Sequence, residues 1–448
     1  MITISHYDDI INNISDYFLN IHKHSNNIVS ENLVSFTSNS ISSDAFGRYL
    51  EKLDYEFFIS HERKLSYKVK QIRKRSIDTT FGTVSFNRRI YQHKSSGKYL
   101  YYIDDIILNI IPYQRFSNEL VASIFSDVTI DSYQTIASKY NISKSSIYNI
   151  ISKFNHLVID STSHIKPTKL NTLFIQADEC YVSLQNIPKS KKSNKVMIHH
   201  ICVHQGIQPV CKGRNRLINK LLFTKAYNES LPSFFNRVVS SIDHLYQYDN
   251  ILFYGDGANW IKSCCDEFYN STFILDLFHT YQAVSRISNS DKYHIQILKN
   301  HIHRNDKYSF IKYVKEHLDF NNFSKYKFNN FKYLLNNWKF IQNNYSINNS
   351  CGCSQEGINF HHFASRLTTY PKGFNEANAR FIAQLICCKN NSNSFNHDML
   401  QLVNDYNTDI KRYPDINFED NYLIKQSFII NSSKNNILRS IARGKIFN

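Results

Sequence analysis

The order of apolar patterns between Asn171 and Leu277 restricts this chain more than any other feature. Leu173–Gln185, Val196–Val203 and Leu217–Thr224 are runs rich in β-branched and aromatic residues, bounded by polar or turn-forming residues, as strands are. Phe234–Tyr246 carries apolar residues at helical spacing. Ile251–Tyr254 is a short continuous apolar run suited to a strand buried on both faces, Trp260–Tyr269 returns to helix, and Thr272–Leu277 returns to strand. Three successive strands can pair as a meander, whereas strands separated by helices return by crossover connections.

This order predicts a ribonuclease-H-like mixed α/β core over residues 166–390, with the first and fourth strands as neighbours. Residues 281–350 read as helix and form a helical insertion before the last helix, which starts near Ser354. Asp178 lies on the first strand, in Leu173-Phe-Ile-Gln-Ala-Asp178-Glu, and Asp256 follows the fourth, in Ile251-Leu-Phe-Tyr-Gly-Asp256-Gly-Ala-Asn-Trp260. They are 78 positions apart (256 − 178), and Glu356, in Cys351-Gly-Cys-Ser-Gln-Glu356-Gly, follows 100 later (356 − 256). Neighbouring strands would bring the two aspartates together, and a helix packed beside them would deliver Glu356. Three such carboxylates can hold two Mg²⁺ ions, or Mn²⁺ in their place, on a phosphate substrate. One ion would activate an attacking water or 3′-hydroxyl and the other would stabilise the leaving oxygen. Gly255 and Gly257 would let a substrate backbone approach. Glu179 is expected on the opposite face of a regular strand. The competing reading takes Gly-Asp-Gly as a turn and Glu356 as an acid that suits a helix N-terminus.

The chain has 448 residues, about three domains at roughly 150 residues each. Hydrophobic residues make up 42%, enough for sizeable cores. Lys and Arg number 53 against 37 Asp and Glu, a formal charge of +16, which favours nucleic acid as partner. The N-terminus lacks the basic start and apolar run of a signal peptide, and no stretch is apolar enough to span a membrane. Nine cysteines without an export signal read as reduced thiols in the cytoplasm. No Gly-x-x-x-x-Gly-Lys-Ser/Thr loop occurs, so no ATP-driven step is expected. His200, Cys202 and His204 alternate along a strand, and Cys351, Cys353, His361 and His362 cluster in sequence. Both sets offer zinc alternatives, with simple packing the commoner outcome.

Residues 1–115 read as a helical region carrying a small β-hairpin. Helix extends through the basic Lys68–Arg75, Thr79–Tyr91 alternates as a strand, and Tyr99–Ile103 follows the turn Ser95–Lys98. Within 116–165, Tyr133–Ser152 fits a helix-turn-helix. Ala137 sits where two helices meet, Asn141 suits a tight turn, and Ile136, Ile142, Ile147 and Ile150 lock the pair. The second helix would present Lys144, Ser145, Ser146, Tyr148 and Asn149 to double-stranded DNA, with Trp260 as a further contact from the core. Residues 391–448 read as a polar tail with weak helical segments.

Six motifs in order carry a family resemblance: Thr80-Phe-Gly-Thr-Val, Ala177-Asp178-Glu179, Arg216-Leu-Ile-Asn-Lys220, Tyr254-Gly-Asp256-Gly-Ala-Asn-Trp260-Ile-Lys, Leu275-Asp276-Leu-Phe-His279 and Cys353-Ser-Gln-Glu356-Gly. Over about residues 78–375 the chain resembles the ISLre-type bacterial insertion-sequence transposases, DDE enzymes similar to the Mutator-like group. The resemblance implies that Asp178, Asp256 and Glu356 are the catalytic, metal-binding triad. It also implies that Asp276 supports an Asp-x-x-His signature whose His279 lies near the scissile phosphate. The expected function is DNA cleavage and strand transfer at element ends, by a homo-oligomer on DNA at the nucleoid. The rival expectations are a DNA-binding protein without catalysis and a nuclease of the same fold without strand transfer.

Overall fold

The computed structural model describes residues 11–17, 20, 31–159, 162, 166–185, 194–211, 214–347, 350–369 and 373–412. It is a mixed α+β protein that divides into two compact units. Most of the basic loop at 189–195 and the tail beyond 412 lie outside the described residues.

The first unit comprises the described parts of Met1–Ile124, Gln134–Ser146 and Asn396–Phe418. The helix Glu31–Ile59 lies against a three-stranded antiparallel sheet of β1 (Tyr67–Thr79), β2 (Gly82–His93) and β3 (Tyr99–Leu100). Lys68–Arg75 is therefore strand, not the helix expected from its sequence. Its Lys, Gln and Arg residues favour helix locally, but register with β2 from Tyr67↔His93 to Thr79↔Gly82 overrides that weak preference. Thr80 and Phe81 form the hairpin turn, so the strand expected from Thr79 is the end of β1, a turn and then β2. Thr79 Oγ1 donates to the Gly82 carbonyl at 2.7 Å, and Gly82 takes a φ of +122°. The basic residues of this sheet are partly consumed internally. Arg75 and Arg88 converge on Asp104, and Arg89 meets the buried Asp54 at 2.8 Å.

In the expected polar tail with weak helical segments, Phe395–Arg412 forms one helix of 18 residues. Its polar side chains bond to residues far away in sequence. Asn407 donates to the Asn109 carbonyl and to Asn118 Oδ1, and Lys411 to the Asp105 carbonyl, all at 3.0 Å. Nothing local announces such partners.

The second unit comprises the described parts of Phe125–Tyr133, Ile147–Phe395 and Glu419–Asn448. Its five-stranded sheet is built from β4 (Thr168–Ser183), β5 (Lys195–His204), β8 (Leu221–Thr224), β9 (Tyr246–Gly255) and β10 (Ser271–Leu275), in the order β10-β9-β4-β5-β8. β4, β5 and β8 form an antiparallel meander, while β9 and β10 add in parallel on the other side of β4. The expected single strand Leu217–Thr224 is interrupted. Leu217 ends β7 (Arg214–Leu217), which pairs with β6 (Ile207–Cys211), and Asn219 at φ +47° turns the chain into β8.

Leu231–Leu245 carries the chain from β8 to β9. Ser230 caps its start, and Phe234, Phe235, Val238, Val239, Ile242 and Leu245 form its buried face. Each such side chain contributes about 1.5–3 kcal/mol when fully buried. Asn259–Asp266 crosses from β9 to β10. Five helices between Leu277 and Ser346 extend the same core through Phe310, Phe331, Leu334 and Trp338. Glu376–Asn391 is almost wholly buried. Asn391 Nδ2 donates to the Leu222 carbonyl, and its Oδ1 accepts from the Leu222 N–H, both at 2.8 Å, which satisfies part of the edge strand β8.

Candidate functional site

β4 and β9 run side by side in parallel, paired as far as Gln176↔Tyr254. Asp178 stands two residues beyond that pair, and Asp256 directly follows β9, so both belong to the same edge of the sheet. Asp256 is held by its own turn. Its Oδ1 accepts from the Ala258 N–H at 2.8 Å, and its carbonyl accepts from the Tyr333 hydroxyl at 2.6 Å. The flanking glycines are required by this packing. A Cβ at Gly255 would meet Ile261 Cγ2 at 2.5 Å. Gly257, at φ +88°, faces Leu275 and Asn337.

Glu356 arrives on the short helix Gln355–Ile358, which runs on as the wider helical turn Asn359–Thr369. The residues around it latch this segment to the sheet. Ser354 donates from its N–H and its hydroxyl to Gln176 Oε1, both at 3.0 Å. Gln355 Nε2 lies 2.7 Å from Nδ1 of His200, the cross-strand partner of Asp178. Asn359 Nδ2 donates to Asp178 Oδ2 at 3.2 Å and to the Glu179 carbonyl at 3.1 Å. His279 closes the group. Its Nε2 lies 3.2 Å from Glu356 Oε1 and 3.9 Å from Asp276 Oδ2. Asp276 is the buried N-cap of Leu277–Ile287, accepting from the Phe278 N–H at 3.0 Å.

The carboxylates act on one another. Burial is the main cause that pushes Asp178 up to about 7, and the charges of Glu356, Asp256 and Glu179 add to it. Burial also raises Asp276, assisted by Glu356 and Asp256 and opposed by His279. Burial and the charge of Asp256 raise Glu179. It follows the alternation expected of a regular strand: its cross-strand partner His199 packs edge-on against Trp260 at 4.8 Å, whereas His200, opposite Asp178, stacks on Phe363. The Glu179 Oε2 accepts from Trp260 Nε1 at 2.8 Å. An all-oxygen, mutually repelling donor set fits a hard divalent cation, which would compete with the proton that burial favours on Asp178. As they stand, no three such groups among the described residues converge on one ion-sized point.

The structure thus gathers Asp178, Asp256, Glu356, His279 and Asp276, with Trp260 attached through Glu179. Lys144, Ser145, Ser146, Tyr148 and Asn149 belong to another element, the helix Lys144–Phe154. Lys144, Ser145, Tyr148 and Asn149 are exposed, whereas Ser146 is half-buried and shares its hydroxyl with Ser143 at 2.8 Å, at the start of the helix. Asn141 takes φ +51° between Tyr133–Tyr140 and this helix, and Ile136, Ala137, Ile147 and Ile150 are buried. Neither zinc alternative forms among the described residues. His200, Cys202 and His204 are buried, His200 against Phe363 and His204 against Phe174, and Cys351 and Cys353 pack on the sheet beside Tyr254. Asn359 was not singled out by sequence. Its position three residues after Glu356, on the same helical face, was the available signal.

These features define a mixed α+β protein whose central sheet ends in a carboxylate–histidine cluster beside two parallel strands. Residues 27–399 match the model of the uncharacterised protein family UPF0236, and the chain belongs to that family. Among its relatives in Caldanaerobacter subterraneus subsp. tengcongensis, a UPF0236 protein whose name carries eleven locus labels is 26% identical over 364 residues, covering 78% of this chain and 74% of the relative. UPF0236 protein TTE2489 is 26% identical over 367 residues, covering 78% of this chain and 75% of its own length. No helix among the described residues is long and apolar enough to cross a membrane.

Proposed function

We propose that this protein is a DNA transposase of the DDE type. In this reading the sheet of the second unit is a ribonuclease-H-like catalytic core. Tyr133–Tyr140 and Lys144–Phe154 form a helix-turn-helix that recognises element ends in double-stranded DNA, through Lys144, Ser145, Tyr148 and Asn149 with Ser146 ordering the helix start. The observation that carries the reading is the meeting of Asp178, Asp256, Glu356 and His279 at the edge of β4 and β9. Asp178, Asp256 and Glu356 would hold two Mg²⁺ ions, or Mn²⁺, and these would neutralise charge on the phosphate and activate the attacking oxygen.

The chain's own residues orient this chemistry. Ser354 and Gln355 anchor the segment that presents Glu356, Asn359 orients Asp178, and Asp256 is fixed by Ala258 and Tyr333. His279 Nε2 lies where it can hold a proton against Glu356 and bond a phosphate oxygen. Trp260, tied to Glu179, supplies an aromatic DNA contact beside the carboxylates. The formal charge of +16 suits a polyphosphate partner. The eleven locus labels on one relative describe a protein repeated within one genome, as a self-copying element leaves behind. Assembly as a homo-oligomer on DNA and association with the nucleoid belong to the same proposal.

The test uses the full chain with duplexes carrying the inverted repeats that flank its gene. Mg²⁺-dependent cleavage and joining are expected, abolished by Asp256→Asn and by Glu356→Gln while end binding persists. His279→Ala should slow cleavage and leave calorimetric Mg²⁺ affinity intact. Cleavage without joining would make the protein a nuclease, and binding without cleavage a DNA-binding protein. Undiminished strand transfer by Asp256→Asn would reject the cluster.

A further inference from the structure

Ten residues beyond Glu356 on the same helical run (366 − 356), Arg366 is only 3% exposed. Its Nε donates to the Val128 carbonyl at 2.7 Å, but neither terminal nitrogen has a hydrogen-bond partner. A guanidinium does not shed its proton, so this charge persists in the interior. The half-buried Arg237 and the buried Arg380 of the same unit are neutralised. Arg237 meets Glu229 at 2.8 Å, and Arg380 meets Glu376 at 3.0 Å. Among the described residues, Arg366 has no carboxylate at ion-pair distance. Burial lowers its proton affinity, the Tyr133 hydroxyl and the more distant Asp131 oppose that, and the Phe374 ring lies 5.3 Å from the guanidinium carbon. An unpaired buried cation is costly, and an anion bound from outside would offset that cost.

Arg366 lines a cavity of about 310 Å³ together with His361, His362, Ser365, Thr129 and Lys389, and no Asp or Glu lines it. Lys389 is held in place by the Ser126 carbonyl at 3.1 Å and by Thr129 Oγ1 at 3.0 Å. Lys220 Nζ lies 2.7 Å from His362 Nε2, which places a further basic group behind the wall. A planar fork, an ammonium and hydroxyls offer donors from several directions, which suits a tetrahedral anion better than a planar one.

We propose that this cavity binds a phosphate group, with Arg366 and Lys389 taking its charge. The phosphate could belong to a nucleic-acid backbone or be free in solution. The site shares no residue with the carboxylate cluster, so the proposal stands apart from the transposase reading.

The test is calorimetric titration of the full chain with inorganic phosphate, with acetate as the carboxylate control. Saturable phosphate binding is expected, weakened about ten- to a hundredfold by Arg366→Gln, which removes charge-assisted hydrogen bonds. Ile130→Glu places a carboxylate at an exposed lining position, leaves Arg366 untouched, and should abolish phosphate binding even if Arg366→Gln fails to fold. No saturable binding by the wild type, equal binding of acetate, or wild-type affinity in Ile130→Glu would overturn the proposal. Phosphate that competes with a short DNA duplex would assign the site to a backbone phosphodiester. Phosphate that binds without competing would assign it to the free anion, and either result supports the site.

Discussion

Asp178→Asn should make the metal-free protein more stable at neutral pH, even though it removes a residue on which the proposed chemistry depends. The carboxyl is buried beside Glu356, Asp256 and Glu179, and its proton affinity rises from the ordinary 3.8 to about 7. A folded value above the unfolded one means that the native state binds this proton more tightly. The associated stability is fully present below pH 3.8 and is lost as pH rises through about 7. At ~1.36 kcal/mol per pH unit, the full loss is ~4 kcal/mol by pH 8. Asparagine keeps the shape and can still accept from Asn359, but it carries no charge to bury. Urea unfolding of wild type and variant in chelator, from pH 4 to pH 8, should show curves that nearly coincide at pH 4. They should separate by about 2–4 kcal/mol at pH 8, with the variant more stable. Saturating Mg²⁺ should close much of that gap by stabilising the wild type alone. A variant less stable than wild type at pH 8, or a gap that does not change with pH, would refute the electrostatic account of the cluster. Such a gain on removing a charged group is the pattern of a site kept for function at the expense of stability.

Three further outcomes follow from the same structure. Gly255→Ala should lower stability by ~1–3 kcal/mol, because the new methyl would lie 2.5 Å from Ile261 Cγ2 and displace the helix that follows Asp256. An unchanged melting temperature would show that the helix yields freely. Glu229→Ala should cost about 1–3 kcal/mol in denaturant unfolding, since it removes the charge-assisted bonds that Arg237 makes at 2.8 Å while its bond to the Thr224 carbonyl remains, and an unchanged stability would mean that the pair is solvated. Lys144→Ala should lower the salt dependence of DNA binding by about one unit of logarithmic slope, while Asn149→Ala should weaken preference among sequences. Gel-shift titrations at several salt concentrations check both, and equal binding by the double variant would remove this helix from the DNA surface.

Sequence by itself determined the elements whose patterns are local and strong. The order of the sheet strands β4, β5, β8, β9 and β10 and of their crossover helices follows from period-two and period-3.6 apolar spacing, though the β6–β7 pair does not, and burial on both faces made Ile251–Tyr254 legible as a strand. The positions of Asp178 on β4 and of Asp256 just after β9 came with that order. Glu356 could be expected beside them because a helix had to follow the insertion. Tertiary structure alone decided whatever depends on a distant partner. Lys68–Arg75 became strand because β2 offered twelve residues of edge to pair with, from Gly82 to His93. Phe395–Arg412 became a helix whose Asn404, Asn407 and Lys411 bond to residues near 105–118. Glu179 was bonded to Trp260 and Asn359 to Asp178, and Gly255 and Gly257 were filled by neighbouring side chains. The uncompensated charge of Arg366 is likewise invisible in sequence, where an arginine and its missing counter-ion look like any other basic residue. Periodicity records which face of an element is apolar. It does not record what stands opposite that face, and here the proton affinity of Asp178 and the unpaired cation of Arg366 depend on what does.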